Sequence, residues 1–178
     1  HRKRVMVIGG GHVGSRIAEL LQDTFQVKLL ERDGARAELL GQELRDVELL
    51  HGDGSDLDNH LTAGLLSMDT VITATSDNET NIMTCALAKQ MIRNQPGDRQ
   101  GTEAKTIALV KREQYLTLAA AMGADIVLNR KVLAGNRILS YILREAEMSV
   151  TRLYGVDAEV VELVAAPRSR ITRHSLAT

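Results

Sequence analysis

Ten residues near the start of the sequence, Val5-Met6-Val7-Ile8-Gly9-Gly10-Gly11-His12-Val13-Gly14, restrict its fold more than any other stretch. Four consecutive apolar residues ended by glycine predict a strand buried on both faces, the kind found in parallel sheets covered by helices. Gly9, Gly11 and Gly14 then form G-x-G-x-x-G, and Val13, Ile17, Leu20 and Leu21 recur at helical spacing. A buried strand, a glycine turn and a helix in that order open a strand–helix–strand unit. Gly9 permits the turn, Gly11 lets the backbone approach a pyrophosphate, and Gly14 lets the helix pack closely on the sheet. The helix start supplies free N–H groups and a partial positive charge for an anion.

The alternation continues along the chain. Residues 27–30 read as a second strand, 35–44 as a helix with Leu39, Leu40 and Leu44 inward, and 47–50 as a third strand closed by His51-Gly52-Asp53-Gly54. A short helix over 57–63 precedes a fourth strand at 70–74, and Ser76 or Asp77 is the expected cap of a helix over 78–94. Pro96-Gly97-Asp98 ends that helix and opens a polar loop, the expected mobile insertion. A fifth strand is expected at 106–110, a helix at 113–122 and a sixth strand at 126–128. A helix over 131–147 leads away, and residues 156–166 have strand character with alternating acids (Asp157, Glu159, Glu162).

Strands separated by helices pair in parallel through right-handed crossovers. The expected class is therefore α/β: a Rossmann-like doubly wound parallel sheet in the order 3-2-1-4-5-6. It occupies residues 1–147 including the exit helix, and 148–178 begin a truncated C-terminal module. The sequence opens without Met and stops without a closing element, so a piece of a longer protein is expected.

Composition narrows the function. Three Tyr, one Phe and no Trp, with a net charge of −1, offer neither the stacking faces nor the basic groove of a single-strand nucleic-acid platform. A hydrophobic fraction of 44% suits a folded core, and the longest apolar run, Leu118 to Met122, is far too short to cross a bilayer. A single cysteine, Cys85, excludes an intrachain disulfide framework and fits a reducing compartment, so a soluble cytoplasmic protein is expected. Residues 31–60 carry nine acids against three Arg, which reads either as solvated helix faces or as the neighbourhood of a nucleotide.

Glu31 stands 20 residues beyond Gly11 at the end of strand two, where a carboxylate can hold both ribose hydroxyls. A carboxylate there repels a 2′-phosphate, whereas Arg32 beside it can accept one; NAD(H) or ATP/ADP is favoured. Two further loops lie at carboxyl ends of strands, where open α/β sheets bind ligands. In the first, Asp53 is placed to accept from an adenine amino group; the second, Thr75-Ser76-Asp77-Asn78-Glu79-Thr80-Asn81, lies across the switch point from the glycine turn. Asp56 and Asn78 are expected as helix N-caps, and Lys111 and Arg112 read equally as phosphate ligands or surface cations. Catalytic machinery is not evident: Tyr115, Tyr141 and Tyr154 lack a Lys four residues on, and the five histidines have no metal-ligand spacing. Cys85 lies in a small-residue helix stripe and reads as a packed thiol. A dinucleotide-type site without an acid–base pair points to sensing, so neither a catalytic nor a metal-ligating residue is assigned.

Residues 5–14, Leu29-Leu30-Glu31-Arg32-Asp33, His51-Gly52-Asp53-Gly54-Ser55-Asp56 and Ser76-Asp77-Asn78-Glu79-Thr80-Asn81 together resemble the RCK family (regulator of K⁺ conductance, also called KTN). The resemblance covers residues 4 to about 147 with all loops in order. It is nearest to the second half of the tandem cytosolic regulators of Trk potassium-uptake systems. Tyr154-Gly155-Val156-Asp157-Ala158-Glu159-Val160-Val161-Glu162 looks like the beginning of the smaller C-terminal module of that family.

The resemblance implies a homo-oligomeric gating subunit, a dimer or ring, that binds NAD(H) or ATP/ADP and changes transport by a Trk-type membrane potassium transporter. It implies a place at the inner face of the plasma membrane through that partner, with no nucleic-acid partner and no membrane insertion. By the family pattern Gly9, Gly11, His12, Val13 and Gly14 cradle phosphate and Glu31 binds ribose. Asp53 and Ser55 flank the adenine, while Asp77 and Glu79 lie near the far side of the nucleotide. Some relatives carry Arg where His12 stands, so discrimination of ATP from ADP at that position is not implied. Two other readings compete with this one: a dehydrogenase fragment, and a structural oligomerisation module whose site has lost its ligand.

Overall fold

The computed structural model describes residues 2–94, 104–142, 148–153 and 158–163. The apolar run at the start forms β1 (Arg4–Ile8), in which Val5, Met6, Val7 and Ile8 are all buried. Alternate side chains go to opposite faces: Met6 and Ile8 join one core cluster with Leu30, Leu65, Met68 and Val71, while Val5 and Val7 join the other with Ala18, Leu29, Leu40 and Ile72. β1 pairs in parallel with β2 (Gln26–Glu31) on one side and β4 (Thr70–Thr73) on the other. β3 (Val47–His51), β5 (Lys105–Val110) and β6 (Ile126–Asn129) complete a six-stranded parallel sheet in the order β3-β2-β1-β4-β5-β6. This is the expected doubly wound order, with its switch point between β1 and β4.

The connecting helices are α1 (His12–Leu21), α2 (Gly34–Glu43), α3 (Leu57–Thr62), α4 (Asn78–Arg93) and α5 (Tyr115–Ala121), and α6 (Arg130–Ile142) follows β6. Two leucines of the apolar patterns point out: Leu39, expected inward, is 50% exposed, and Leu20, which shares the helical spacing of Val13 and Ile17, is 64% exposed. The reason is geometric. α1 buries Gly14 and Ala18, and α2 buries Ala37 and Leu40. At about 100° per residue, Leu20 and Leu39 each lie roughly 200° from a buried small residue of their own helix.

Asp77, not Ser76 or Asn78, caps α4, its carboxylate accepting from the Thr80 amide at 2.7 Å. Asp56 caps α3 as expected. The loop opened by Pro96-Gly97-Asp98 and the expected helical residues 143–147 lie outside the described residues. Two compact units divide the chain, His1–Arg130 and Lys131–Thr178. In the second, β7 (Met148–Leu153), which the sequence reading did not anticipate, pairs antiparallel with β8 (Ala158–Leu163), within the stretch of expected strand character. Among the described residues no helix is long and apolar enough to cross a membrane.

Among the described glycines, the closest approach to neighbouring backbone is at the glycine turn. A Cβ on Gly14 would lie 1.8 Å from the Gly9 carbonyl oxygen, and Gly9 itself has φ +104 with the Thr75 backbone 2.8 Å from its own missing Cβ. Gly14→Ala must therefore lift α1 from the sheet. We expect it to lower stability by about 2 kcal/mol or more, the cost of overpacking against unyielding backbone; an unchanged urea midpoint would contradict the packing.

Candidate functional site

The carboxyl ends of the strands open onto two adjoining cavities. One, of about 300 Å³, lies beyond β1, β2, β3 and β4; the other, of about 270 Å³, lies beyond β1, β4, β5 and β6. Gly11, Thr75 and Ser76 line both, so the pair forms one cleft across the switch point.

The floor of the cleft is the glycine turn. Gly11 is the N-cap of α1, and no side chain caps this helix, whereas Asp33, Asp56 and Asp77 cap α2, α3 and α4. The first-turn amides of α1 are thus left open to an incoming anion. A Cβ on Gly11 would meet nothing within 4 Å, so the space over this residue belongs to the cleft. The Gly10 peptide is held at both ends: its N–H donates to Glu31 Oε2 at 2.6 Å, and its carbonyl accepts from Arg36 Nε at 2.6 Å. Glu31 Oε1 in turn accepts from the Asp33 amide at 2.8 Å. Both carboxylate oxygens are therefore oriented by backbone donors while Glu31 lines the first cavity.

Arg32, Asp53, Ser55, Thr75 and Asp77 also line the first cavity, which brings Asp77, expected near the far side of a nucleotide, together with Asp53 and Ser55, expected beside its adenine. Asp53 Oδ1 accepts from both the amide and the hydroxyl of Ser55 at 2.8 Å, and these two bonds hold the carboxyl below its ordinary range. The Thr80 cap contacts depress Asp77 in the same way. Two of the expected site residues line neither cavity. Gly14 lies beneath the turn, and Glu79 accepts a hydrogen bond from the Tyr115 hydroxyl, which that carboxylate pushes to a higher pKa.

The second cavity has a different character. Val13, Ala74, Leu109 and Val110 give it apolar walls, and His12, Lys111 and Arg130 place three basic side chains on it with no acid among the lining residues. Lys111 Nζ donates to the Ser76 carbonyl at 2.6 Å, which holds the ammonium at the cleft. Arg112 lines neither cavity.

Arg36, Thr80 and Arg130 are cleft residues that the sequence reading missed. Arg36 was legible in principle: with Asp33 as N-cap it is the third residue of α2, and helical side chains lean toward the N-terminus. Asn81 was missed as a scaffold. Nearly buried, its Oδ1 accepts from the Thr75 amide at 2.9 Å and hydroxyl at 2.7 Å, and its Nδ2 donates to Leu109 O at 2.8 Å. One amide thus ties the loop after β4 to the end of β5.

Cys85 is buried, and burial pushes its thiol up to about 11. No cluster of metal-ligating side chains occurs among the described residues.

An uncapped helix start above a glycine turn, an oriented carboxylate at the end of β2 and a cleft at the switch point define a dinucleotide-fold domain. The chain belongs to the TrkA-N domain family, which matches residues 5–130. Among curated relatives it is 31% identical, over 163 residues, to the Trk system potassium uptake protein TrkA of Vibrio alginolyticus. That match covers 92% of this chain but 33% of the relative, so the chain spans about one third of the length of the curated relatives it matches. Among solved structures, the TrkA-N domain of the Escherichia coli inner membrane protein ybaL matches with a TM-score of 0.68 at 16% identity, covering 80% of this chain and 98% of that one. The GsuK channel bound to NAD matches at 0.61 and 21% identity over 86% of this chain and 26% of that chain. Its ADP-bound structure matches at 0.63 and 19% over 80% and 34%. These structural likenesses bear out the fold, and the family is the one the sequence resembled.

Asn81→Ala deletes a buried group with several partners and should cost about 3 kcal/mol of stability, read as a lower denaturation midpoint. Cys85 should resist iodoacetamide at neutral pH in the folded chain and react fully in urea; rapid labelling without denaturant would contradict its burial.

Proposed function

We propose that this chain is the nucleotide-sensing domain of a cytoplasmic regulator of potassium uptake. It binds NAD(H), with ATP or ADP as the alternative ligands, and passes the occupancy of its cleft to a Trk-type membrane potassium transporter. The regulator works as a homo-oligomer, a dimer or ring, at the inner face of the membrane, and performs no chemistry on its ligand. Residues 148–178 begin its C-terminal module.

The observation that carries this reading is the cleft itself: open amides at the start of α1, with Glu31 oriented on one side of them and His12, Lys111 and Arg130 on the other. That order suits an adenosine whose ribose meets Glu31, phosphates over Gly11 and His12, and a further group between apolar walls and cations. Gly9 and Gly14 shape the turn, Val13 borders it, and Arg32, Asp53, Ser55, Thr75 and Asp77 surround the adenosine. Glu79, bonded to the Tyr115 hydroxyl, has no direct part in this arrangement. Membership of the TrkA-N family supports the regulatory role, and NAD and ADP in the GsuK structures support the ligand class.

Calorimetric titration with NAD⁺, NADH, ATP and ADP, beside light scattering, tests the proposal. Binding without turnover is expected. Gly11→Val puts its Cβ where no protein atom lies within 4 Å and extends into the cleft, so it should abolish binding while leaving the fold intact. Glu31→Ala should abolish it too, with some loss of order at Gly10 and Asp33. Unchanged titrations in both variants would sink the site, and a wild-type chain that binds none of the four would sink the function.

A further inference from the structure

His60, on α3, is completely buried. Its Nε2 lies 2.8 Å from the Gly54 carbonyl oxygen, while Nδ1 has no hydrogen-bond partner. A carbonyl oxygen only accepts, so Nε2 carries the proton and Nδ1 is bare. Thr84 Oγ1, on α4, donates to the same carbonyl at 3.0 Å. Gly54 is therefore tied to two helices at once, and it is pressed onto β1, where an added Cβ would come within 2.5 Å of Ile8 Cγ2. Its neighbours Asp53 and Ser55 line the first cavity.

We propose that His60 is a positioning residue of the cleft: by donating to the Gly54 carbonyl it holds the loop that presents Asp53 and Ser55 to a bound nucleotide. The role rests on the nucleotide reading above and adds a dependence on pH. A second proton, at Nδ1, would bring a charge and an N–H with no protein acceptor into a buried site. Asp56 at the N-cap of α3 and Asp53 on the loop both favour the charged ring, and α4 faces the shared carbonyl with the uncharged Thr84. Burial outweighs them and holds the ring below its ordinary pKa of 6.5. The sign follows: an opened loop, with its ring in water, takes the proton at higher pH than the closed one. The closed loop is fully favoured above the ordinary histidine range and loses ground as pH falls below it.

NAD⁺ titration of the full chain at about pH 8 and about pH 5.5 tests this, because the diphosphate of NAD⁺ does not titrate between them. ADP replaces NAD⁺ if the latter does not bind, with His60→Gln as the reference for the ligand's own ionisation. Wild type should bind up to about tenfold more weakly at the lower pH, which lies about one pH unit below the ordinary value of a histidine in water. His60→Gln, which keeps an Nε2 donor but does not titrate, should bind like wild type at about pH 8 and lose the acid-side weakening. His60→Leu should bind about three- to tenfold more weakly already at pH 8, as expected for one lost hydrogen bond. Amide exchange at residues 53–56 should speed up in that variant while β1 and β4 stay protected.

Wild-type acid weakening retained in full by His60→Gln, or His60→Leu binding as tightly as wild type, overturns the positioning role alone. A wild-type chain that binds neither NAD⁺ nor ADP overturns the proposed function and this role together.

Discussion

The close approach of α1 to the glycine turn is the contact on which the rest of the first unit depends. Because Gly14 has no side chain, the helix lies against the Gly9 carbonyl, and its first turn comes down over the end of β1. Lifted by even a methyl group, α1 would no longer point its free amides into the cleft. The same turn sets how near the β4 loop can come. Gly9 takes a left-handed conformation with Thr75 backbone in the space a Cβ would fill, and so Thr75 and Gly11 face each other across both cavities.

Around that contact, each lip of the cleft is fastened by a side chain bonded to backbone. Glu31 and Arg36 hold the two ends of the Gly10 peptide, Asn81 holds Thr75, His60 and Thr84 hold Gly54, and Asn78 accepts from the Lys111 amide. Bonds of this kind order the loops when the chain folds, so a ligand loses less freedom in binding. They also explain the acidic stretch over residues 31–60. Asp33 and Asp56 are helix caps, Asp53 closes a turn, and Glu38 and Glu43 are exposed helix residues. Some of these acids are thus solvated helix faces, while Glu31 and Asp53 line the first cavity.

The sheet was readable in the sequence because its signals are local. A buried strand is a short apolar run between breakers, and the glycine spacing announces the first crossover. Capping was readable for Asp56 and one residue uncertain at Asp77, since Ser76, Asp77 and Asn78 are all competent caps. Helix faces were less readable. Periodicity weighs leucine above alanine and glycine, yet the close helix–sheet contact selects the small residues, which turned Leu20 and Leu39 outward. Arg36, Asn81 and His60 were hidden for a different reason. Their partners, Gly10, Leu109 and Gly54, are backbone groups, and three-dimensional closure alone brings most of them near. A lone histidine in a polar stretch carries no mark of burial.

The division of the cleft bears on how occupancy could reach the rest of the molecule in the proposed function. Arg130 lines the second cavity and is also the first residue of α6. The chain passes at that residue from the first compact unit to the second. In the proposed function, a group seated among His12, Lys111 and Arg130 would meet the first residue of α6, whereas an adenosine confined to the first cavity would not. A tenfold difference in a ligand's affinity for two states is worth about 1.4 kcal/mol per site, and in the proposed oligomer such sites would add. Ligands that share an adenosine but differ beyond the phosphates would bind with similar strength and yet act differently. One that favoured neither arrangement would shift nothing, however tightly it bound.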